Sequence, residues 1–141
     1  MNTFLNSHAG QNVRRDISRT YVAVSLETDI VCGYYALSSG SVAFGNLPDD
    51  LNMRLPKYPV PTAHIGRLAV DKQSQGLGLG SILLIDALKR ARAVADQIGI
   101  HAVTVHALNV QAKHFYEAHG FVNLQDDPLH LFLPMATIRR L

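Results

Sequence analysis

Gln75-Gly76-Leu77-Gly78-Leu79-Gly80-Ser81 decides how this chain reads, because a predicted strand (Thr62–Val70) runs into it and an amphipathic helix (Leu79–Ile98) leaves it. A helix N-terminus carries free N–H groups and partial positive charge, so a strand, a glycine turn and a helix in succession can bind an anionic phosphate. Glycines at 76, 78 and 80 remove side chains that would keep a pyrophosphate away from the backbone. A P-loop needs lysine followed by Ser or Thr after its final glycine, whereas Gly80 is followed by Ser81-Ile82. A dinucleotide fingerprint needs glycine where Ser81 stands and an acidic residue closing the next strand, which here ends His106-Ala107. A turn whose glycines serve only its tightness is the bland alternative. It leaves unexplained why three alternating glycines open a long amphipathic helix.

Working outward, the helix 79–98 has a polar stripe (Asp86, Lys89, Arg90, Arg92, Asp96, Gln97) against a wide apolar remainder that includes Leu83, Leu84, Ala87, Leu88, Ala91, Val94 and Ala95. Asp86 and Arg90 form a favourable i,i+4 pair, and Gly99 is the expected stop. Residues 2–16 read as a helix end, with Phe4, Leu5, His8 and Val13 loosely on one side. The runs 20–26 and 30–38, separated by Glu27-Thr28-Asp29, read as a hairpin. Residues 46–55 hold a helical turn or two entered at Pro48, and Pro56, Pro59 and Pro61 keep the following segment extended. Strands at 101–107, 120–124 and 129–133, a helix at 110–118 and a short tail helix complete the order. The whole is a single α+β domain over residues 1–141, with a mixed sheet and helices on its faces.

Composition excludes several classes. A hydrophobic fraction of 48% and a charged fraction of 17% describe a folded core. No apolar run approaches the ~20 residues that span a bilayer, and the start lacks the pattern of a secretion signal. One cysteine, Cys32, rules out an internal disulfide and reads as a small buried residue, so a cytoplasmic setting is expected. A net charge of +2 does not establish a nucleic-acid partner, although Arg14, Arg15 and Arg19 cluster near the start. His101 and His106 fall on opposite faces of a strand, and His114 and His119 miss i,i+4 spacing, so no metal site is expected.

The spacing Gln75-x-x-Gly78-x-Gly80 resembles the signature of the GCN5-related N-acetyltransferases. Gly66-Arg67-Leu68-Ala69-Val70-Asp71, Val105-His106-Ala107-Leu108-Asn109 and Phe115-Tyr116-Glu117-Ala118-His119-Gly120-Phe121 follow that family's order. Gly33-Tyr34-Tyr35-Ala36-Leu37, Pro61 and Asp127-Pro128 resemble its subgroup of bacterial toxin–antitoxin toxins. The resemblance implies the GNAT fold, with a central sheet of antiparallel and parallel strands, and acetyl-CoA as co-substrate. Leu68, Ala69 and Val70 would pair with the pantetheine arm, and the Val70 N–H would stabilise the oxyanion. Gln75, Gly76, Leu77, Gly78, Leu79, Gly80 and Ser81 would take the pyrophosphate. Asn109 would hydrogen-bond the arm and Phe115 would pack beside it, with core packing an equal reading for Phe115. Tyr116 would be the general acid for the departing thiolate: a phenol with a pKa of ~10 is protonated at neutral pH. Anchoring its helix to the sheet is the alternative role. No residue stands out as a general base, and an α-amino group titrating near ~8 needs none.

The same resemblance implies that the acceptor is the α-amino group of aminoacyl-tRNA, so that acetylation stops translation. It also implies a ribbon-helix-helix antitoxin and a possible homodimer. Arg67, Arg14, Arg15 and Lys113 are the substrate-side candidates, with Arg19, Lys57, Arg139 and Arg140 as further cations. Arg67 would serve equally as a structural ion-pair residue. An N-acetyltransferase of a small amine or a protein N-terminus, and a non-catalytic acetyl-CoA-binding module, are the competing functions. Asn2-Thr3-Phe4-Leu5 matches the family's first helix with nothing before it, so the first strand is expected to be missing and the strand at 20–26 to have an open edge.

Overall fold

The computed structural model describes residues 17–49 and 58–141, together with the backbone of residues 3–8. Among the described residues seven strands order as β1-β2-β3-β4-β5-β7-β6: β1 Thr3–His8, β2 Arg19–Ser25, β3 Val31–Val42, β4 Val60–Val70, β5 Ala102–His106, β6 Val122–Asn123 and β7 His130–Pro134. The α-helices among the described residues are α1 Leu79–Ala95, α2 Val110–Ala118 and α3 Met135–Ile138. The mixed α+β class read from the sequence is thus the one observed.

The start of the chain differs from expectation. Thr3–His8 is a strand, not a helix end, and pairs antiparallel with β2 from Thr3↔Ser25 to His8↔Thr20. The edge expected to be open is therefore occupied. The reason is tertiary: β2 offers an unpaired row of N–H and C=O groups, and a six-residue segment gains more by completing that ladder than by forming a short, poorly nucleated helix. The expected helical turns at 46–55 lie largely outside the described residues, with a 3₁₀ turn at Phe44–Asn46 just ahead of them.

Contacts divide the chain into two compact units, residues 1–38 with 65–90 and residues 39–64 with 91–141. In the first, β2 and β3 form the expected hairpin, closed by Asp29 in the left-handed region at φ 56°. Leu83, Leu84, Ala87 and Leu88 are essentially sealed from solvent, as are Ala23 and Tyr35. Spacing at i, i+1, i+4 and i+5 places the four α1 residues on one face, and each fully buried leucine stabilises by roughly 1.5–3 kcal/mol. Val94, read as part of the apolar face, is 44% exposed instead. In the second unit Val42, Leu47, Val60, Ala102, Leu124 and Phe132 form one buried cluster. The antiparallel ladder Ala102↔Pro134 to His106↔His130 holds β5 against β7.

Candidate active-site residues

The first unit carries the glycine loop, and its geometry follows from three braces. The Asp71 N–H donates to the Cys32 carbonyl at 2.7 Å, tying the end of β4 to β3. The Asp71 side chain accepts the Gln73 N–H at 3.2 Å, which shapes a 3₁₀ turn over Lys72–Ser74. The Gln75 side chain then donates from Nε2 back to the Val70 carbonyl at 3.1 Å. This signature glutamine closes the loop onto the strand it came from.

Beyond it, Gly76 and Gly78 sit at φ 83° and 78°, a region that side-chain-bearing residues enter at a cost of about 1–2 kcal/mol. A Cβ at either position would meet nothing within 4 Å, so the requirement at both is conformational and the space above the backbone is open. The Ile82 N–H takes the Gly78 carbonyl at 3.2 Å and starts the helical ladder. The N–H groups of Leu79, Gly80 and Ser81 therefore precede that ladder at the positive end of α1. Leu77 is 57% exposed and Leu79 is buried, so the turn is anchored by one leucine and open at the other. The arrangement suits an anion bound through backbone donors.

Leu68, Ala69 and Val70 are half-buried at the end of β4, with Arg67 exposed just before them. A hollow of about 400 Å³ lies beside Gly66 and Arg67.

A network that the sequence reading missed anchors α1. The Tyr35 hydroxyl donates to Asp86, Arg90 Nε meets the same carboxylate at 2.9 Å, and the Arg90 guanidinium lies 3.9 Å over the Tyr21 ring. Burial, then the hydrogen bond to Asp86, pushes the Tyr35 phenol far above its ordinary pKa. Only the Asp86–Arg90 half of the network had a local signal.

The second unit carries the downstream candidates. Asn109 is extended (φ −160°), and its side-chain oxygen accepts the Ala112 N–H at 2.9 Å, capping α2. That commits the oxygen and leaves the side-chain NH₂ as the group for a ligand. Tyr116 is 5% exposed, edge-on to Phe115 at 5.2 Å and to Phe121 at 5.4 Å. Burial pushes its phenol up to about 12, so at neutral pH it is a protonated donor. Phe115 also contacts the His119 ring at 4.9 Å, so its described contacts are packing contacts.

The cations divide. Arg14, Arg15 and Lys57 lie outside the described residues. Arg19 and Arg67 are exposed and Lys113 is half-buried. Arg139 pairs with Asp96 at 2.8 Å, and Arg140 bonds the Ala136 carbonyl at 3.2 Å, so both act locally.

Histidines form a cluster with no sequence signal. His64 Nδ1 bonds the Thr104 hydroxyl at 2.8 Å, while His106 and His130 stack at 4.9 Å beside Asp127 and Asp126. Among the described residues no group of three His, Cys, Asp or Glu side chains could hold a metal ion, and no helix is long and apolar enough to cross a membrane.

The sequence matches the family described as an acetyltransferase (GNAT) domain over residues 1–135. It is 48% identical over 111 residues to a tRNA-acetylating toxin of Mycobacterium tuberculosis, covering 79% of this chain and 66% of that protein. The chain thus spans just under two thirds of that relative's length. Among solved structures it is similar to a tyrosine-to-phenylalanine mutant of KacT, with 33% identity, a TM-score of 0.88, and coverage of 94% of this chain and 80% of that one. It is also similar to AtaTR bound with AcCoA, at 30% identity and a TM-score of 0.78, covering 92% of this chain and 77% of the other.

Proposed function

Since this chain belongs to the acetyltransferase (GNAT) family, we propose that residues 1–141 act as one N-acetyltransferase domain, a toxin that moves the acetyl group of acetyl-CoA to the α-amino group of aminoacyl-tRNA. The observation that carries the cofactor half is the left-handed Gly76 and Gly78 in the loop that leads from β4 into α1. The acceptor half rests on the similarity to the mycobacterial tRNA-acetylating toxin.

Acetyl-CoA supplies the acetyl group as a thioester, and this chain's task is to bind, orient and move one proton. Backbone N–H groups of Gln75 to Ser81 would hold the pyrophosphate and Leu68, Ala69 and Val70 would align the pantetheine arm as an added strand, with Asn109 and Phe115 as the further cofactor-binding residues that the family pattern implies. Holding the reactants in register supplies several kcal/mol of the barrier. The Val70 N–H stabilises negative charge on the acetyl oxygen, a contribution of about 2.7–4 kcal/mol where such donors have been removed. Tyr116 donates its phenolic proton to the departing sulfur. With an α-amino group titrating near ~8, roughly a tenth of the acceptor is neutral at pH 7 and reacts in that form. The proton the nitrogen sheds as the amide forms passes to solvent.

The toxin reading carries an antitoxin of the ribbon-helix-helix type, a homodimer and a cytoplasmic setting, where charged tRNA is found. Arg67 and Lys113, with Arg14 and Arg15, serve the acceptor.

The test incubates purified protein with acetyl-CoA and charged tRNA and measures N-acetyl-aminoacyl-tRNA. Product from wild type and a loss of at least ~100-fold in kcat for Tyr116→Phe, with cofactor affinity intact, are expected. Acetylation of free amines or protein N-termini but not of charged tRNA refutes the acceptor, and cofactor binding without turnover on any amine refutes the enzyme.

A further inference from the structure

Tyr116 occupies a defined place in the motif that ends α2. The Phe121 N–H donates to the Tyr116 carbonyl at 3.2 Å, and the Gly120 N–H donates to the Glu117 carbonyl at 3.0 Å. Gly120 lies in the left-handed region at φ 96°. A six-to-one bond, a five-to-two bond and a left-handed glycine make a Schellman terminus, which an apolar contact across the six-to-one bond commonly accompanies. Here that contact is between Tyr116 and Phe121, whose ring centroids are 5.4 Å apart. Backbone and ring of Tyr116 are thus both held by the way the helix stops.

His119 is the cap residue of this terminus. In a continuing α-helix its N–H would go to the Phe115 carbonyl, but here it donates to the Tyr116 carbonyl at 3.0 Å. The imidazole serves the carbonyl left behind, with Nδ1 2.9 Å from the Phe115 oxygen. A carbonyl only accepts, so Nδ1 carries the proton, and a flipped ring would lose the bond. The same imidazole lies against the Phe115 ring at 4.9 Å, and Phe115 stands edge-on to Tyr116 at 5.2 Å. Phe121 therefore fixes one neighbour of the sealed phenol and His119 the other.

We propose that His119 is a positioning residue for proton transfer by Tyr116, acting through its hydrogen bond to the Phe115 carbonyl. That carbonyl belongs to the peptide unit that leads into Tyr116, so the bond restrains the backbone from which the phenol hangs. A proton donor must meet the departing sulfur within hydrogen-bond reach, and a misplacement of ~1 Å costs on the order of 100-fold in rate. The inference rests on the assignment of Tyr116 as the general acid and names what aims it.

The test uses the full chain as wild type, His119→Ala, His119→Asn, His119→Phe, Tyr116→Phe and the double variant His119→Ala/Tyr116→Phe. Turnover is read as release of the coenzyme A thiol, with charged tRNA and with a free amino-acid amide as acceptors. Melting temperature and acetyl-CoA titration control for fold and cofactor. His119→Ala should lower kcat about 10-fold while the KM for acetyl-CoA stays within about twofold. Asparagine carries Nδ2 where histidine carries Nδ1, so His119→Asn should recover most of the loss. His119→Phe keeps a ring without the donor and should behave as the alanine variant does.

The deciding comparison is the double variant. Residues that act as a unit are not additive, so His119→Ala should cost no further kcat once Tyr116 is phenylalanine. A merely structural role would lower kcat by the same factor in both backgrounds, and that result overturns the proposal. Equal kcat for His119→Asn and His119→Phe also overturns it, and this pair carries the comparison if alanine unfolds the chain. Tyr116→Phe as fast as wild type, or a wild type that releases no thiol with either acceptor, removes the acid itself and this inference with it. Impaired Tyr116→Phe beside unimpaired His119→Ala removes this inference alone.

Discussion

Gly33→Ala tests how tightly β3 is pressed against the strand assigned to the cofactor arm. An added methyl would stand 2.8 Å from the Ala69 carbonyl oxygen, 2.9 Å from Leu83 Cδ1 and 3.5 Å from Val70 Cα. The leucine tip can rotate away, but the carbonyl is backbone. Ordinary contact begins near 3.4 Å, so a gap of about half an ångström must open between β3 and β4. Overpacking of this kind costs about 1–3 kcal/mol, offset by roughly 0.5–1 kcal/mol from the lower unfolded-state freedom of alanine. The net of about 1–2 kcal/mol corresponds to a fall of roughly 4–7 °C in Tm for a chain of this size. Differential scanning calorimetry measures it, and acetyl-CoA titration should show weaker binding because Ala69 and Val70 move. Gly66→Ala, which meets nothing, is the control and should hold its Tm. A Gly33→Ala protein that melts with wild type and binds acetyl-CoA normally would refute the close approach and its link to the cofactor strand.

Gly78→Asp, at φ 78°, sets a carboxylate where backbone donors should meet a pyrophosphate. Acetyl-CoA affinity by calorimetry should fall sharply while circular dichroism stays native. Tyr116→Phe should lower kcat by about 10²–10⁴-fold at unchanged acetyl-CoA affinity. Because burial lifts that phenol to about 12, it should leave the acid-to-neutral limb of the rate profile alone. His64 has its pKa lowered by burial, with His130 and His106 adding to the effect. A depressed pKa means that the unfolded chain binds the proton first, so the His64 contribution is present above about 6.5 and lost as pH falls through the folded value. The Tm of His64→Asn should therefore vary less with pH across that acid window than that of wild type. An identical slope would remove His64 as the cause.

What was legible in the sequence was local. The turn 75–81, the α1 face and the Asp86–Arg90 pair depend on neighbours within a few residues, and Val110–Ala118 was read with the bounds observed. Thr3–His8 was misread because its pairing partners, Thr20–Ser25, lie 12 to 22 positions away and leave no periodic trace in the segment itself. The same distance hid Tyr35 from Asp86 and His64 from Thr104, 51 and 40 positions apart. Gln75 was recognised through family resemblance as a phosphate-loop residue. Its bond to the Val70 carbonyl adds a bracing role that spacing does not reveal. The Asn109 cap, by contrast, follows from an asparagine placed just before a helical run.

The clamp on Asp86 has a consequence for how the loop is aimed. A helix advances about 1.5 Å and turns about 100° per residue, so Asp86 lies roughly 10 Å down α1 from its first residue, almost two full turns on. Tyr35 and Arg90 grip that one carboxylate from a strand and from the helix itself, fixing the azimuth of α1. A twist of α1 by even a fraction of one residue step would swing the donors at Leu79, Gly80 and Ser81 through the same angle. The hydroxyl of a sealed tyrosine, with no donor aimed at the loop, thereby sets the bearing of the dipole end that the loop presents.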